Sequence, residues 1–532
     1  MGLSVTPAYP PGHARAFGGT LTLSRPIARS AGLAAIAIGL FALYLATRSF
    51  VHGWDSLAYT ARAHDDALLG ERYLSLHLLH PHHLLYLPLA RAFTSLLARG
   101  TPDPFLPLQA FSALCATVAA LVFGLAVERR AGPARAAFVA AGVGLAYGTW
   151  RYGSDVEVMT PALAALAFAV LALARGREPH WTGAGVALAV ATGLHTPLAA
   201  FALAAVAIVM ADWARARSSA RHAAGMLAGW VLPTAVMYAV AAAALAPRGG
   251  PARLASWFFA AANRAEHFSN PQGLAAVLSL GAIGALVPSR PLSDLRWSGA
   301  LTPGILVGAL VATMVVVGAG VLCALAWPGL RRAIAGHDPL TRVLVAGVIA
   351  LAVAIWAFEP WNEEYWVYVP PLVIVLLALH VPVGVRAVPR LVFGLVAGLL
   401  CLGLAYVWWP RRDARLAPYA SAVAFADSHL ERSDIVLAGP ATSDLRTALL
   451  AIPLLSGVDV LSTPDPSVPG EVEAYDRAVR VGLARHAVVV TPEARADAAR
   501  AAGPGWQLVP FGSIDGRPIA RLEPVTPDRP DE

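Results

Sequence analysis

Residues 30–59 read SAGLAAIAIGLFALYLATRSFVHGWDSLAY. The first two thirds, 30–48, form an apolar run near the roughly 20 residues that a membrane-spanning helix needs. Asp55 follows a few residues beyond the end of that run, beside Trp54. A cleavable signal peptide does not fit, because a long tail precedes the run and further apolar segments follow without a small-residue cleavage site. The stretch therefore predicts a retained membrane span that opens directly into a polar loop with an acid at its start.

Working outward, about eleven apolar runs satisfy the same length criterion. They lie near 30–48, 108–127, 134–150, 158–174, 181–194, 197–211, 223–246, 302–327, 341–358, 366–381 and 390–409. The pair at 181–211 is short and split at Gly193-Leu194-His195-Thr196-Pro197, so it also suits one broken hairpin. The stretch 82–98 carries His82, His83 and Arg91, and reads as a helix lying at the interface. Composition agrees with a polytopic chain. Of 532 residues, 57% are hydrophobic and 14% charged, against about 25% charged in soluble domains. Mean hydropathy is +0.60. This excludes a soluble enzyme and a disordered chain. The three cysteines, Cys115, Cys323 and Cys401, lie in apolar runs without metal-ligand spacing, which excludes a disulfide scaffold.

All 40 basic residues are Arg, and their distribution sets an orientation. With the N-terminus inside, the cytoplasmic segments carry 16 Arg against 4 acids, a net of +12. The other side, up to residue 410, carries 11 Arg and 12 acids. The basic balance thus reflects membrane orientation, and a nucleic-acid partner is not needed to explain it. The expected organisation is a cytoplasmic tail over 1–29, a transmembrane domain over 30–409 with a large outer loop at 49–107, and an extracytoplasmic segment over 410–532. A bacterial inner membrane is the expected location. In the last segment Ile435–Leu437, Val458–Leu461, Ala487–Val490 and Leu508–Pro510 read as buried strands. Helical stretches near 418–430, 442–452, 470–485 and 493–502 separate them, predicting a small α/β domain with a mainly parallel sheet.

The outer side collects the polar chemistry. Asp55 at the membrane boundary suits a general base for an incoming hydroxyl, and equally a helix N-cap before LAYTARAHDDALL. Six of the fifteen histidines fall between His52 and His83, densest in HPHHLLYLP (80–88). There His80, His82 and His83 could hold a phosphate, bind a divalent metal with Asp55, Asp65 or Asp66, or simply point their polar ends to water. RYGSDVEVMTP (151–161) places Arg151, Asp155 and Glu157 in a short loop, where the two alternating acids project together if the chain is extended. ATGLHTP (191–197) puts His195 near the end of a hairpin. FEPWNEEYWVYVPP (358–371) packs Glu359, Asn362, Glu363, Glu364 and Tyr365 among aromatics. It suits an aromatic belt or a site at membrane depth. Arg253, Arg264, Glu266, His267, Arg290 and Arg296 in the loop 247–301 could clamp a phosphate or remain solvated.

Taken together, the chain resembles the GT-C superfamily of membrane glycosyltransferases, and most the protein O-mannosyltransferase branch. The shared pattern is an acid after the first span, a large first outer loop, a second acid in a short loop two spans later, and an outward C-terminal domain. HPHHLLYLP stands where that family has HPPGYPLY, lacking its Gly and second Pro. DVEVMTP stands for its EVY-type segment, with Met159 in place of Tyr, and NEEYW resembles its late aromatic-acid loop. The resemblance implies transfer of a hexose from a polyprenyl-phosphate donor to a protein, lipid or glycan acceptor. By position it implies that Asp55 is the base and that Glu157 with Asp155 supplies the second acid. His80, His82 and His83 would line the donor phosphate or orient Asp55. Arg151, His195, Asn362, Glu363 and Tyr365 are further candidates on the donor side. No cofactor is implied for certain, and a divalent metal stays open. The alternative class is a lipid or solute transporter. Against it, the span interiors are nearly free of charge, whereas transporters place ionisable groups at the midplane.

Overall fold

The computed structural model describes residues 24–64, 81–97, 103–175, 179–245, 285–287, 303–358, 363–382, 384–438, 451–462, 471–484, 487–514 and 517–525. Expectations for His80, Asp65, Asp66, Glu359, Asn362 and the six charged residues of the loop 247–301 fall outside them.

The chain is mainly helical. The membrane portion comprises α1 (Ser24–Ala46), α2 (Trp54–His64), α3 (Tyr86–Leu97), α4 (Leu106–Ala131), α5 (Pro133–Leu145), α6 (Tyr147–Gly153), α7 (Met159–Leu173) and α8 (Trp181–Leu194). It continues with α9 (Ala199–Ala214), α10 (Ala220–Leu245), α11 (Pro303–Ala335), α12 (Pro339–Phe358), α13 (Glu363–Trp366), α14 (Val369–His380) and α15 (Val388–Gly403). Among the described residues α4, α9, α10, α11, α12 and α15, with their short helical extensions, are long and apolar enough to cross a membrane. Shorter apolar helices α1, α5, α7, α8 and α14 complete the set of expected runs.

Local chemistry explains where these helices begin and pack. Prolines occupy the first turns of α4, α5 and α14, where the missing N–H is not needed. Gly132, at φ +88°, ends α4 and turns the chain into α5, in a backbone region that favours glycine. Between α8 and α10 the backbones approach so closely that a Cβ on Gly185 would lie 2.6 Å from the carbonyl oxygen of Met226. Small residues at such crossings let membrane helices gain van der Waals contact. Outward-facing Leu232, Val236 and Val240 on α10 and Leu310, Met314 and Val317 on α11 are exposed, as a lipid-facing surface requires.

Helix direction alternates along the chain, which sorts the connections to two ends of the bundle. One end receives the start of α2, the α6–α7 loop, the turn after α8, α13 and the exit of α15. The other receives the α4–α5 turn, the end of α9 and the α11–α12 turn. A π-helical turn at Leu404–Trp408 carries α15 towards the first of these ends. The expected interfacial helix is α3, which buries Tyr86, Leu87, Ala90 and Thr94 against α2 and α4.

The C-terminal segment holds β1 (Ile435–Ala438), β2 (Asp459–Ser462), β3 (Val488–Val490), β4 (Trp506–Ile514) and β5 (Arg517–Pro524), with α16 (Ala420–His429), α17 (Glu471–Leu483) and α18 (Arg495–Ala502). The sheet order is β2-β1-β3-β5-β4. Its β2-β1-β3 half is parallel, as expected, but β5 pairs antiparallel with both β3 and β4. The sheet is therefore mixed, and β5 was not anticipated. Its signal is Asp515-Gly516, which favours a two-residue hairpin turn, and Ile514 does pair with Arg517 across it.

Candidate active site

Five separate connections meet at the end of the bundle that the first loop shares with the C-terminal segment. Asp55 lies in the first turn of α2. Asp155 and Glu157 lie in the α6–α7 loop, 5% and 6% exposed. A carboxylate so deeply buried must be paired or protonated, and the two acids solve this in opposite ways.

Asp155 is paired. His52 Nδ1 lies 2.9 Å from Asp155 Oδ1, and the Val156 N–H donates to the same oxygen at 2.9 Å. Burial alone would push this carboxyl up, but His52, its hydrogen bond, Arg411 and the Val156 N–H outweigh burial and hold it below the usual carboxylate value. At Glu157 the balance is the reverse. Burial, then the carboxyls of Glu364, Asp55 and Asp155, push its pKa well up, against a smaller opposing effect of Arg151. Three expected residues, Asp55, Asp155 and Arg151, thus act electrostatically on a fourth, together with Glu364. Arg151 also stacks over the Tyr152 ring, 5.1 Å from its centroid. Tyr86 and Tyr152 are buried, and their hydroxyls have no hydrogen-bond partner among the described residues.

The His-Pro segment and the α8 hairpin turn, far apart in sequence, are bound together. The N–H of Leu85 donates to the Gly193 carbonyl at 3.0 Å, and the N–H of Thr196 donates to the His82 carbonyl at 3.1 Å. His83 Nδ1 lies 3.3 Å from the Leu194 carbonyl oxygen. Above this frame the His195 ring is stacked between His83, at 5.2 Å, and Tyr365, at 5.5 Å. The Tyr368 hydroxyl approaches His195 Nδ1 at 2.7 Å. Burial pushes the His195 imidazole down to about 3, with His82 adding to the effect. His195 is therefore a neutral ring held between His83 and Tyr365. Glu363 opens α13, the short helix that presents Glu364 and Tyr365.

The residue that sequence reasoning did not single out is His52. It belongs to the histidine cluster by position, three residues before Asp55, but its partners Asp155, Phe105 and Tyr419 are remote in sequence. Among the described residues no three His, Cys, Asp or Glu side chains converge as a metal-ligand set.

This helical bundle, with its C-terminal α/β segment, shares its fold with solved structures of ArnT. No family model matches the sequence, and no curated protein matches it. Among solved structures the chain is similar to ArnT from Cupriavidus metallidurans, bound to undecaprenyl phosphate, at 12% identity and TM-score 0.58, covering 92% of this chain and 97% of that one. The apo state of the same protein aligns with TM-score 0.59 at 12% identity, over 94% and 98% of the two chains. The oligosaccharyltransferase AglB from Archaeoglobus fulgidus aligns at 14% identity and TM-score 0.44, over 89% and 70%.

Proposed function

We propose that the protein is an integral membrane glycosyltransferase that moves a sugar from a polyprenyl-phosphate donor to an acceptor hydroxyl. The observation that carries this reading is the gathering of Asp55, Glu157 and Glu364 with Arg151 at one end of a GT-C-type bundle. Undecaprenyl phosphate bound by the similarly folded ArnT supports a lipid-phosphate donor. The arginine distribution supports an extracytoplasmic site, with the N-terminus in the cytoplasm and the C-terminal α/β segment outside.

Asp55 is the base. Unlike Asp155 and Glu157 it is only half-buried, so an acceptor from water or the membrane surface can reach it. Its carboxylate takes the proton of the acceptor hydroxyl as that oxygen bonds to the anomeric carbon. The bond from the anomeric carbon to the phosphate oxygen breaks in line, and the polyprenyl phosphate leaves with the electron pair. The configuration inverts. Arg151 offsets the charge that develops on the phosphate. Glu157 keeps its proton at a pH where an exposed carboxyl has lost it, and so offers an O–H to a sugar hydroxyl or phosphate oxygen. The tyrosine hydroxyls of Tyr86 and Tyr152 are further donors in the same region.

The test uses the full chain in proteoliposomes with undecaprenyl phosphate linked to radiolabelled mannose, glucose, galactose or arabinose. Sugar released or transferred by the wild type, and lost in Asp55→Asn, supports the reading. Donor crossing the sealed bilayer unchanged would instead indicate a transporter.

A further inference from the structure

His52 is held on three sides. Its Nδ1 donates to Asp155 Oδ1, its ring stacks on Phe105 with centroids 3.7 Å apart and planes 8° apart, and its backbone N–H donates to the Tyr419 hydroxyl at 3.1 Å. The side chains of His52 and Asp155 are 5% and 7% exposed. One residue further on, the Gly53 carbonyl accepts the Leu57 N–H and starts α2, the helix that carries Asp55. The pair therefore joins a residue three before Asp55 to a residue two before Glu157. Tyr419, immediately before α16, anchors this junction to the C-terminal segment. A second tie runs alongside, from the Phe50 N–H to the Arg411 carbonyl at 2.8 Å.

We propose that His52 is the positioning residue that sets the placement of Asp55 against Glu157, and that Tyr419 makes this placement depend on the C-terminal domain. The inference rests on the glycosyl-transfer reading above. It also reassigns Asp155: with its Oδ1 accepting from both His52 and Val156, Asp155 holds the loop while Glu157 faces the reacting atoms. Phe105 fixes the ring plane, so the imidazole keeps its aim at the carboxylate without help from solvent. The C-terminal domain gains a role in this account: it completes the site without contributing a catalytic group.

Charge gives the proposal a signature that packing alone lacks. Asp155 is faced by His52 from the first loop, Arg411 from the exit of α15, Glu157 from its own loop, Tyr86 from α3 and Tyr419 from the C-terminal segment. Without the His52 ring, Asp155 loses two of the influences that lower its carboxyl and keeps Arg411 and the Val156 N–H, so the Asp155 carboxyl rises and protonates at higher pH. Asn at position 52 places an amide N–H near the Nδ1 position and restores the hydrogen bond without the imidazole's electrostatic effect on Asp155. Ala supplies neither.

The experiment measures kcat and KM against pH for the full chain in proteoliposomes, with whichever of the four radiolabelled undecaprenyl-phosphate sugars the wild type uses. His52→Ala is expected to lower kcat by about ten- to a hundredfold through misplacement of the acids, with KM nearly unchanged. His52→Asn restores most of kcat above neutral pH but moves the acid limb of the profile up by about one unit. Tyr419→Phe lowers kcat by about threefold to tenfold without moving the limb, as expected for the loss of one hydrogen bond. Should His52→Ala not fold, the other two variants carry the test. An acid limb unmoved in His52→Asn overturns the proposal while leaving the transfer reading intact. A wild type that releases no sugar from any of the four donors overturns both.

Discussion

The two ends of the bundle use the same residue types to opposite effect. At the end opposite the candidate site, Asp212 and Arg342 pair with side chains 8% and 12% exposed. Asp338 accepts from the Thr341 N–H at 3.0 Å and from Arg130 at 3.1 Å. Arg135 donates to the carbonyls of Ala378, Leu379 and Val381, which lie at and just beyond the end of α14, where a cation is favoured. There, acids meet cations or hydrogen-bond donors. At the other end Asp55, Glu157 and Glu364 are set against one another, with Arg151 as partial relief. Paired charge stabilises the helix ends. Acids held so close by the surrounding fold that one of them keeps its proton are an arrangement of the kind found where chemistry is performed.

The largest expected effect of breaking this contrast is at Asp55. On the proposed role of Asp55 as base, replacement by Asn lowers transfer by about 10²–10⁴-fold while leaving thermal unfolding unchanged. Radiolabelled sugar release, read beside a melting curve, checks both halves of that statement. At the paired end the effects should be reversed. Arg342→Ala leaves Asp212 buried without its cation and costs about 3 kcal/mol of stability, seen as a lower melting temperature in detergent. The specific activity of the folded fraction stays the same.

A finer test addresses the proton on Glu157. If the acid works protonated, Glu157→Gln keeps transfer within about tenfold and Glu157→Ala loses about a hundredfold, since only the amide retains a donor. The wild type should also lose activity as pH rises through the raised Glu157 pKa, and Glu157→Gln should flatten that fall. A pH–rate profile of the two proteins decides it. The smallest effect is expected at Asp338. Burial there is outweighed by the Thr341 hydrogen bonds and Arg130, so its folded pKa is depressed. Its stabilisation is present above about pH 4, the ordinary carboxylate value, and is lost as pH falls through the lower folded value. Asp338→Asn should cost about 1 kcal/mol at neutral pH, a difference that closes on acidification in unfolding titrations.

The membrane helices were legible because a span is a local property: roughly twenty apolar residues announce themselves whatever surrounds them. The apolar runs recur as helices for that reason, and the mixed sheet was missed for the converse one. Strand β5 carries Arg517, Arg521 and Glu523, so its apolar content is interrupted and only its partner strands reveal it. Within the site, Asp55, Asp155 and Glu157 stood out because charge is scarce in this chain. His52 did not, because what distinguishes it from its five neighbouring histidines is the company of Asp155, Phe105 and Tyr419, which no spacing encodes. His195 was visible as a polar residue at a turn. Its part as a neutral ring between His83 and Tyr365 needed the α8 turn and the His-Pro segment to be seen side by side.

The bond between His52 and Tyr419 links positions 367 residues apart. A ribosome adding 5–20 residues per second takes roughly twenty to seventy seconds to cover that interval. Throughout that time the early helices are already threaded into the bilayer while their acidic loops lack the final tie. On the proposal made for Tyr419, a nascent or truncated chain carries its acids without full competence. The acids are thus made early in synthesis and the tie that places them late.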